Sequence, residues 1–335
     1  MDRPDVSVVI VNYNGRRWID DCLTAVLSQQ DVQPEVIFVD NASTDGSVEY
    51  VGERFPAVRI VALQENTGFA GGNNAGARAA RGRLLAFLNN DTVADGRWLA
   101  SLRLALDANP YAGLATSRIV YIHDPETVDS AGDAYTRAGG AFKLGHGAMA
   151  SAYLEPCEVF GACGAAFMIR RKLFEELGGF DEDFFLVYED VDLSYRAQLR
   201  GQRVLYVPGA IVRHAGSASM GTVSRTSVFH GQRNLEWVYV KNTPAPMLLR
   251  TLPAHVIYSL AGAAYLATAG RIWTWTTAKW AALRGLPAMF RKRRAVQRTR
   301  ARDTTRLWGL MERRWLGQKW REKRFDLGAR SDRRP

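Results

Sequence analysis

Two acidic clusters in the 335-residue chain are the groups best suited to chemistry. Asn89-Asn90-Asp91 puts a carboxylate beside two amide oxygens directly after an apolar run. Hard oxygen donors of this kind hold Mg2+ or Mn2+, and such an ion neutralises a departing diphosphate. The same residues also suit a strand-to-turn cap. The second cluster, Glu189-Asp190-Val-Asp192, follows Phe180-Asp181-Glu182-Asp183-Phe184-Phe185. Acidic residues at a helix start are favoured by the helix dipole. Yet six carboxylates interleaved with aromatics between 181 and 192 are also what a base beside a sugar platform requires. His214, in Val-Arg-His-Ala-Gly, adds an imidazole that could complete a metal site or serve structure alone. The Gly-rich segment Asn66–Gly76 lets backbone approach an anion at a helix start, or lets a helix pack closely on a sheet.

These groups need elements to position them. Val6–Asn12, Glu35–Asp40, Val58–Leu63 and Leu84–Leu88 read as buried strands alternating with helices over 16–29, after Ser47 and after Asn66. That alternation predicts a parallel, doubly wound sheet, with ligands at the carboxyl ends of the strands. Asn12, Asp40 and Asp91 all fall at such ends and are expected to face one crevice. Further along, 97–108 reads as a helix, 113–122 as a strand and 128–160 as hairpins and loops. Then come a strand at 165–170, helices at 171–177 and 190–200, strands at 204–207 and 211–214, and a Ser/Gly-rich loop at 215–227.

Composition narrows the class. Hydrophobic residues make up 47% and charged residues 23%, which excludes a mainly disordered chain, a collagen-like fibre and a polytopic membrane protein. Three cysteines suit a reducing compartment, and no secretory leader is expected from the start of the chain. The net charge of +10 is uneven: residues 284–335 carry 18 Lys and Arg against 5 Asp and Glu, and residues 1–283 carry 26 against 29. Six of the nine tryptophans follow residue 270, and Val256–Ala269 is uncharged but too short to span a bilayer. Tryptophan with arginine suits a membrane headgroup region, with Trp308, Met311 and Trp315 on one helix face. Nucleic-acid binding is the alternative for this tail. Tryptophans flanking an apolar segment, with arginines after it, fit an anionic leaflet better, and no nucleic-acid partner is expected.

Six segments in order resemble the family 2 glycosyltransferases, the inverting class of GT-A fold that uses nucleotide-sugar donors. They are VSVVIVNYNG (6–15), VIFVDNASTDGS (36–47), NTGFAGGNNAG (66–76), LAFLNNDT (85–92), GGFDEDFFLVYEDVDLSYR (178–196) and VRHAGSAS (212–219). The likeness covers roughly 6–242 and is strongest to the bacterial dTDP-rhamnose-dependent rhamnosyltransferases. It implies an α/β catalytic domain over 1–242, with a mostly parallel sheet flanked by helices. Residues 243–335 would be a helical, basic and aromatic extension touching the membrane.

The resemblance also implies roles. Asn12, Tyr13, Asn14, Asp40, Asn41, Gly68, Asn73, Asn90 and Asp91 would bind the nucleotide-sugar, with Asp40 on the base. Asp91 and His214 would hold a divalent cation, Mg2+ or Mn2+, although Asn89 stands where the family's metal motif has its first Asp. Asp190 would be the catalytic base, with Glu189 beside it. Phe180, Asp181 and Asp192 would meet the acceptor, and Arg225, His230 and Arg233 the diphosphate. The expected reaction is one in-line displacement by an acceptor hydroxyl, on a polyprenyl-diphosphate-linked saccharide at the cytoplasmic face of the cell membrane. A UDP-sugar donor is the alternative within the same chemistry. A processive synthase is not expected, since Gln232 to Trp237 lacks the Gln-x-x-Arg-Trp spacing.

Overall fold

The computed structural model describes residues 4–216, 224–301 and 303–314. Trp315 and Trp320 therefore lie outside the described residues. β1 (Val6–Asn12), β2 (Glu35–Asp40), β3 (Arg59–Ala62) and β4 (Leu84–Asn89) form the parallel part of the sheet, in the order β4-β1-β2-β3. Their β-branched runs are covered on both faces, as continuous apolar strands require. Val8, Ile10 and Phe38 pack beneath α1 (Ile19–Leu27) and α4 (Trp98–Ala108). Val9, Val39 and Phe87 pack on the other face, with α3 (Gly68–Ala79) and α5 (Arg171–Leu177). α2 (Ser47–Arg54) follows β2.

Beyond β4 the sheet is mixed. β11 (Ala166–Arg170) runs antiparallel between β4 and β6 (Ala112–Tyr121). β12 (Arg203–His214) pairs parallel with β6 and is one strand with a break in register between Val207 and Ile211, not the two strands expected. Pro208 and Gly209 occupy that break, where proline cannot donate to a ladder. β5 (Thr92–Ala94), a three-residue strand not foreseen, pairs with β12 and sets Thr92 opposite His214. The 128–160 region forms β7 (Val128–Ser130), β8 (Asp133–Tyr135), β9 (Ala141–Lys143) and β10 (Cys157–Val159).

α6 (Glu189–Leu199) carries the second acidic cluster, and α7 (Arg225–Asn242) begins inside the expected loop. α8 (Ala245–Thr268), α9 (Ile272–Arg298) and α10 (Thr305–Leu310) complete the described chain. These helices pack against the preceding part of the chain. Trp237, Ala282, Met289, Leu307 and Met311 share one core with Tyr135, Phe160, Phe184 and Tyr195. The α9 side chains of Arg293 and Gln297 donate to the carbonyls of Val240, Thr243 and Asn242 at the end of α7. Among the described residues no helix is long and apolar enough to cross a membrane.

Candidate active site

The carboxyl ends of β1, β2 and β4 are joined by side-chain hydrogen bonds. Asn90 Nδ2 donates to Asn12 Oδ1 (2.7 Å), and Asn12 Nδ2 to Asp40 Oδ1 (3.3 Å) and Ser43 Oγ (3.1 Å). Asp40 Oδ2 accepts from the Ser43 N–H (2.9 Å). Asn41 reaches α3, donating to Asn66 Oδ1 and the Gly68 carbonyl (3.0 Å each) and accepting from the Thr67 N–H (2.9 Å). Asn14, at φ +52°, accepts from the Thr44 N–H (2.8 Å). Tyr13 is 53% exposed, which leaves its ring open to a ligand. The structure thus brings Asn12, Tyr13, Asn14, Asp40, Asn41, Gly68, Asn90 and Asp91 to one edge of the sheet. Asn73 is apart: it is buried within α3 and donates to the Phe69 carbonyl (2.9 Å). Gly72 and Gly76 serve packing, because a Cβ on Gly76 would lie 2.3 Å from Val9 Cγ1.

Asp91 and His214 meet, with His214 Nε2 3.3 Å from Asp91 Oδ1. Behind the ring, Nδ1 is 2.8 Å from Asp129 Oδ2, and Lys143 Nζ donates to both oxygens of Asp129 (2.8 and 2.9 Å). Burial opposes a charged imidazole, but its hydrogen bonds to the Asp129 and Asp91 carboxylates push His214 up to about 9. Burial would raise Asp129, yet Lys143, His146 and His214 hold it well below the usual carboxylate range. Asp129 and Lys143 were not anticipated; Val-Asp-Ser in a region without periodicity carries no motif. A carboxylate and an imidazole face to face, with a second carboxylate orienting the ring, fit a divalent cation. Among the described residues no cluster of three or more His, Cys, Asp and Glu could hold a metal ion.

Asp190 sits in the first turn of α6. Its Oδ2 accepts from the Gly164 N–H (2.8 Å) and its Oδ1 from the Val191 N–H (2.8 Å). Gly164 precedes Ala165, whose carbonyl accepts from the Asn89 N–H (2.9 Å). One short segment thus links Asp190 to the strand end that carries Asp91. Burial raises the pKa of Asp190 against the lowering effect of the Gly164 and Val191 N–H groups. Glu189 is buried, its Oε2 has no partner, and burial with the nearby Asp190 raises it well above the usual range. Burial thus raises both acids, and the backbone N–H groups that hold Asp190 act against the rise there.

The residues expected at the acceptor and the diphosphate lie in different surroundings. Phe180 is buried in the core, held by Asn74, whose amide exchanges two 2.9 Å hydrogen bonds with the Phe180 backbone. Asp192 is 0% exposed, and its oxygens accept from Arg196 Nε (2.7 Å), Lys241 Nζ and Asn242 Nδ2 (2.8 Å). Both side chains are buried and held within the protein. Asp181 pairs with Lys241 (2.6 Å) and with Lys292 of α9, which also binds Asp183 (2.6 Å). Arg233 donates to the Asp183 and Phe184 carbonyls (2.8 and 3.0 Å), so its guanidinium is committed to the protein. His230 stacks on Phe185 (5.2 Å, 22°), and burial followed by Arg233 lowers it to about 4, which removes the charge a diphosphate would need. Arg225 opens α7; residues 217–223 before it lie outside the described residues.

The chain is similar to several known proteins. The N-acetylglucosaminyl-diphospho-decaprenol L-rhamnosyltransferase of Mycobacterium tuberculosis is 29% identical over 244 residues, 64% of this chain and 78% of that protein. The O-antigen biosynthesis protein RfbC of Myxococcus xanthus is 32% identical over 232 residues, 64% of this chain and 18% of that protein. The fold is also that of the mannosyltransferase of Pyrobaculum calidifontis solved with GDP-Man and Mn2+, at a TM-score of 0.55 and 20% identity over 99% of this chain and 87% of that one. GalNAc-T7, solved with UDP, GalNAc and Mn2+, matches 72% of this chain and 50% of its own at a TM-score of 0.55 and 18% identity. The model of glycosyl transferase family 2 matches residues 7–178, half of the sequence, and the chain belongs to that family: it is a glycosyltransferase of GT-A fold.

Proposed function

We propose that this glycosyltransferase moves rhamnose from dTDP-rhamnose to a hydroxyl of a polyprenyl-diphosphate-linked saccharide, with inversion at the anomeric carbon. The observation that carries the reaction is Asp190: a carboxylate of raised pKa, oriented by the Gly164 N–H and tied through Ala165 to the strand end bearing Asp91. Asp190 takes the proton of the acceptor hydroxyl as that oxygen attacks in line, and the nucleoside diphosphate leaves. Asp91 and His214 would hold the divalent cation, Mg2+ or Mn2+. When bound it supplies charge to offset the departing diphosphate. The relative from Mycobacterium tuberculosis supports the choice of sugar and of lipid-linked acceptor.

Membrane contact belongs to the same reading, since such an acceptor is anchored in a leaflet. α8 leaves Leu249, Leu252, Val256 and Leu260 to solvent at helical spacing, and α9 leaves Trp273 (79% exposed), Trp280 (58%) and Leu283. Arg284 lies over the Trp280 ring at 5.0 Å. Apolar stripes with tryptophan and arginine suit the interface of an anionic leaflet. The test of the substrate is a calorimetric screen of dTDP-rhamnose, UDP-sugars and GDP-mannose, with and without Mn2+ or Mg2+, on wild type and Asp91→Ala. Metal-dependent binding of dTDP-rhamnose, lost in Asp91→Ala, is the expected result. Preference for a UDP-sugar would overturn the donor, and no nucleotide binding would overturn the reading altogether.

A further inference from the structure

The segment that delivers Glu189 and Asp190 has an unusual backbone. Phe185 has φ +65° and ψ −63°, and the Leu186 N–H donates to the Phe184 carbonyl (2.8 Å), which closes a γ-turn of the rare, strained hand. Val187 (φ +65°) and Tyr188 (φ +78°) are also left-handed, and Val187 is β-branched. L-residues adopt such conformations in succession only where surrounding contacts over-determine them, and they do so chiefly at functional sites. What determines them here is one side chain. Asn234, fully buried on α7, donates through Nδ2 to the carbonyls of Phe184 (2.9 Å), Leu186 (3.0 Å) and Val187 (2.7 Å). Its Oδ1 accepts from Arg233 Nε (2.9 Å), which turns the NH2 toward the loop. The remaining carbonyl, that of Phe185, accepts from the Ala70 N–H at the start of α3 (3.1 Å).

We infer that Asn234 is a positioning residue for the transfer reaction: it holds the left-handed turn at 184–188 so that Asp190 enters the first turn of α6 facing Gly164. This rests on the reading of Asp190 as base. Asn234 touches neither acid, so it acts through the backbone it holds. Phe185 also abuts Gly68, whose position would bring a Cβ to 2.4 Å from the Phe185 oxygen. The turn therefore lies between the donor-side helix α3 and the base, and Asn234 is its anchor on the third side.

The experiment compares Asn234→Ala and Asn234→Ser with wild type and Asp190→Asn. It reads kcat and KM with the donor found in the screen and a GlcNAc-diphospho-polyprenyl acceptor, dTDP affinity by calorimetry, and hydrogen exchange at the amides of 185–188. Asn234→Ala is expected to lower kcat about 100-fold, the scale of a small misplacement of a reacting group. Its dTDP affinity is expected to stay within about twofold of wild type. Faster exchange confined to 185–188 accompanies the loss. Asn234→Ser, which keeps one donor and creates a smaller cavity, falls between the two and stands in should the alanine variant fail to fold. A kcat within about threefold of wild type, or a loss of kcat matched by loss of dTDP affinity, overturns the positioning role. Wild-type turnover by Asp190→Asn overturns the base assignment instead.

Discussion

Lys241→Met is the sharpest probe of how α6 is held. Lys241 Nζ sits between Asp181 Oδ2 (2.6 Å) and Asp192 Oδ1 (2.8 Å), with a side chain 3% exposed. Removing one member of a buried ionic group costs about 3–5 kcal/mol, because the remaining charge is left uncompensated. Here each acid keeps a second cation, Arg196 at 2.7 Å for Asp192 and Lys292 for Asp181. The lower end, about 3 kcal/mol, is therefore expected. At about 2 °C per kcal/mol for a chain of this size, Tm falls by about 6 °C. The pH dependence has a definite sign. Burial would raise Asp192, but Arg196, Lys241 and Asn242 hold it at about 2. A depressed carboxyl contributes stability above the unfolded value near 3.9 and loses it as pH falls toward the folded value. That contribution is about 2 kcal/mol in wild type and smaller in the variant. The gap between the two proteins should therefore narrow as pH drops from about 5 to about 3. Urea denaturation across that range reads it. A Tm within about 1 °C of wild type at pH 7, or a gap that widens on acidification, would refute the assignment of Lys241 as the bridge.

Four further outcomes follow from the same geometry. Burial and the nearby Asp190 raise Glu189, so Glu189→Gln should keep kcat within about fivefold, whereas Asp190→Asn loses about 1000-fold; equal losses would reassign the base. The raised pKa of Asp190 places the acid limb of the kcat profile above the ordinary range near 3.9, with activity falling as pH drops through it. Gly68→Ala forces a Cβ against the Phe185 oxygen at φ +71° and should cost about 1–2 kcal/mol in denaturation, together with turnover. Trp273→Ser with Trp280→Ser should release the protein from anionic vesicles in a flotation assay while leaving dTDP affinity intact; cosedimentation equal to wild type would count against the α8–α9 surface. Truncation at 244 is the wrong test of that surface, because α9 packs on α7 and pairs with Asp181 and Asp183.

The strand ends were legible because buried parallel strands write themselves as β-branched runs, and Asn12, Asp40 and Asp91 stop those runs. Their convergence follows from sheet geometry alone. The antiparallel course of β11 was not legible, since apolar periodicity carries no strand direction. α7 was missed for a related reason. One side of it holds the 184–188 turn and another packs on α9, so Asn234 and Lys241 are buried where a surface helix would show a polar stripe. A single asparagine bonded to three carbonyls leaves no spacing to read. Asp192 and Phe180 misled because the acidic and aromatic composition of 180–192 marks the segment, whereas burial decides which side chains face a ligand.

The central claim is that Asp190 is the base of an inverting sugar transfer. It is tested most directly by following transfer from dTDP-rhamnose to a GlcNAc-diphospho-polyprenyl acceptor with wild type and Asp190→Asn, and reading the anomeric configuration of the product by NMR. The account predicts an inverted product from wild type and turnover about 1000-fold slower from Asp190→Asn, with dTDP binding equal in both. A retained configuration, or an Asp190→Asn variant as active as wild type, would contradict it.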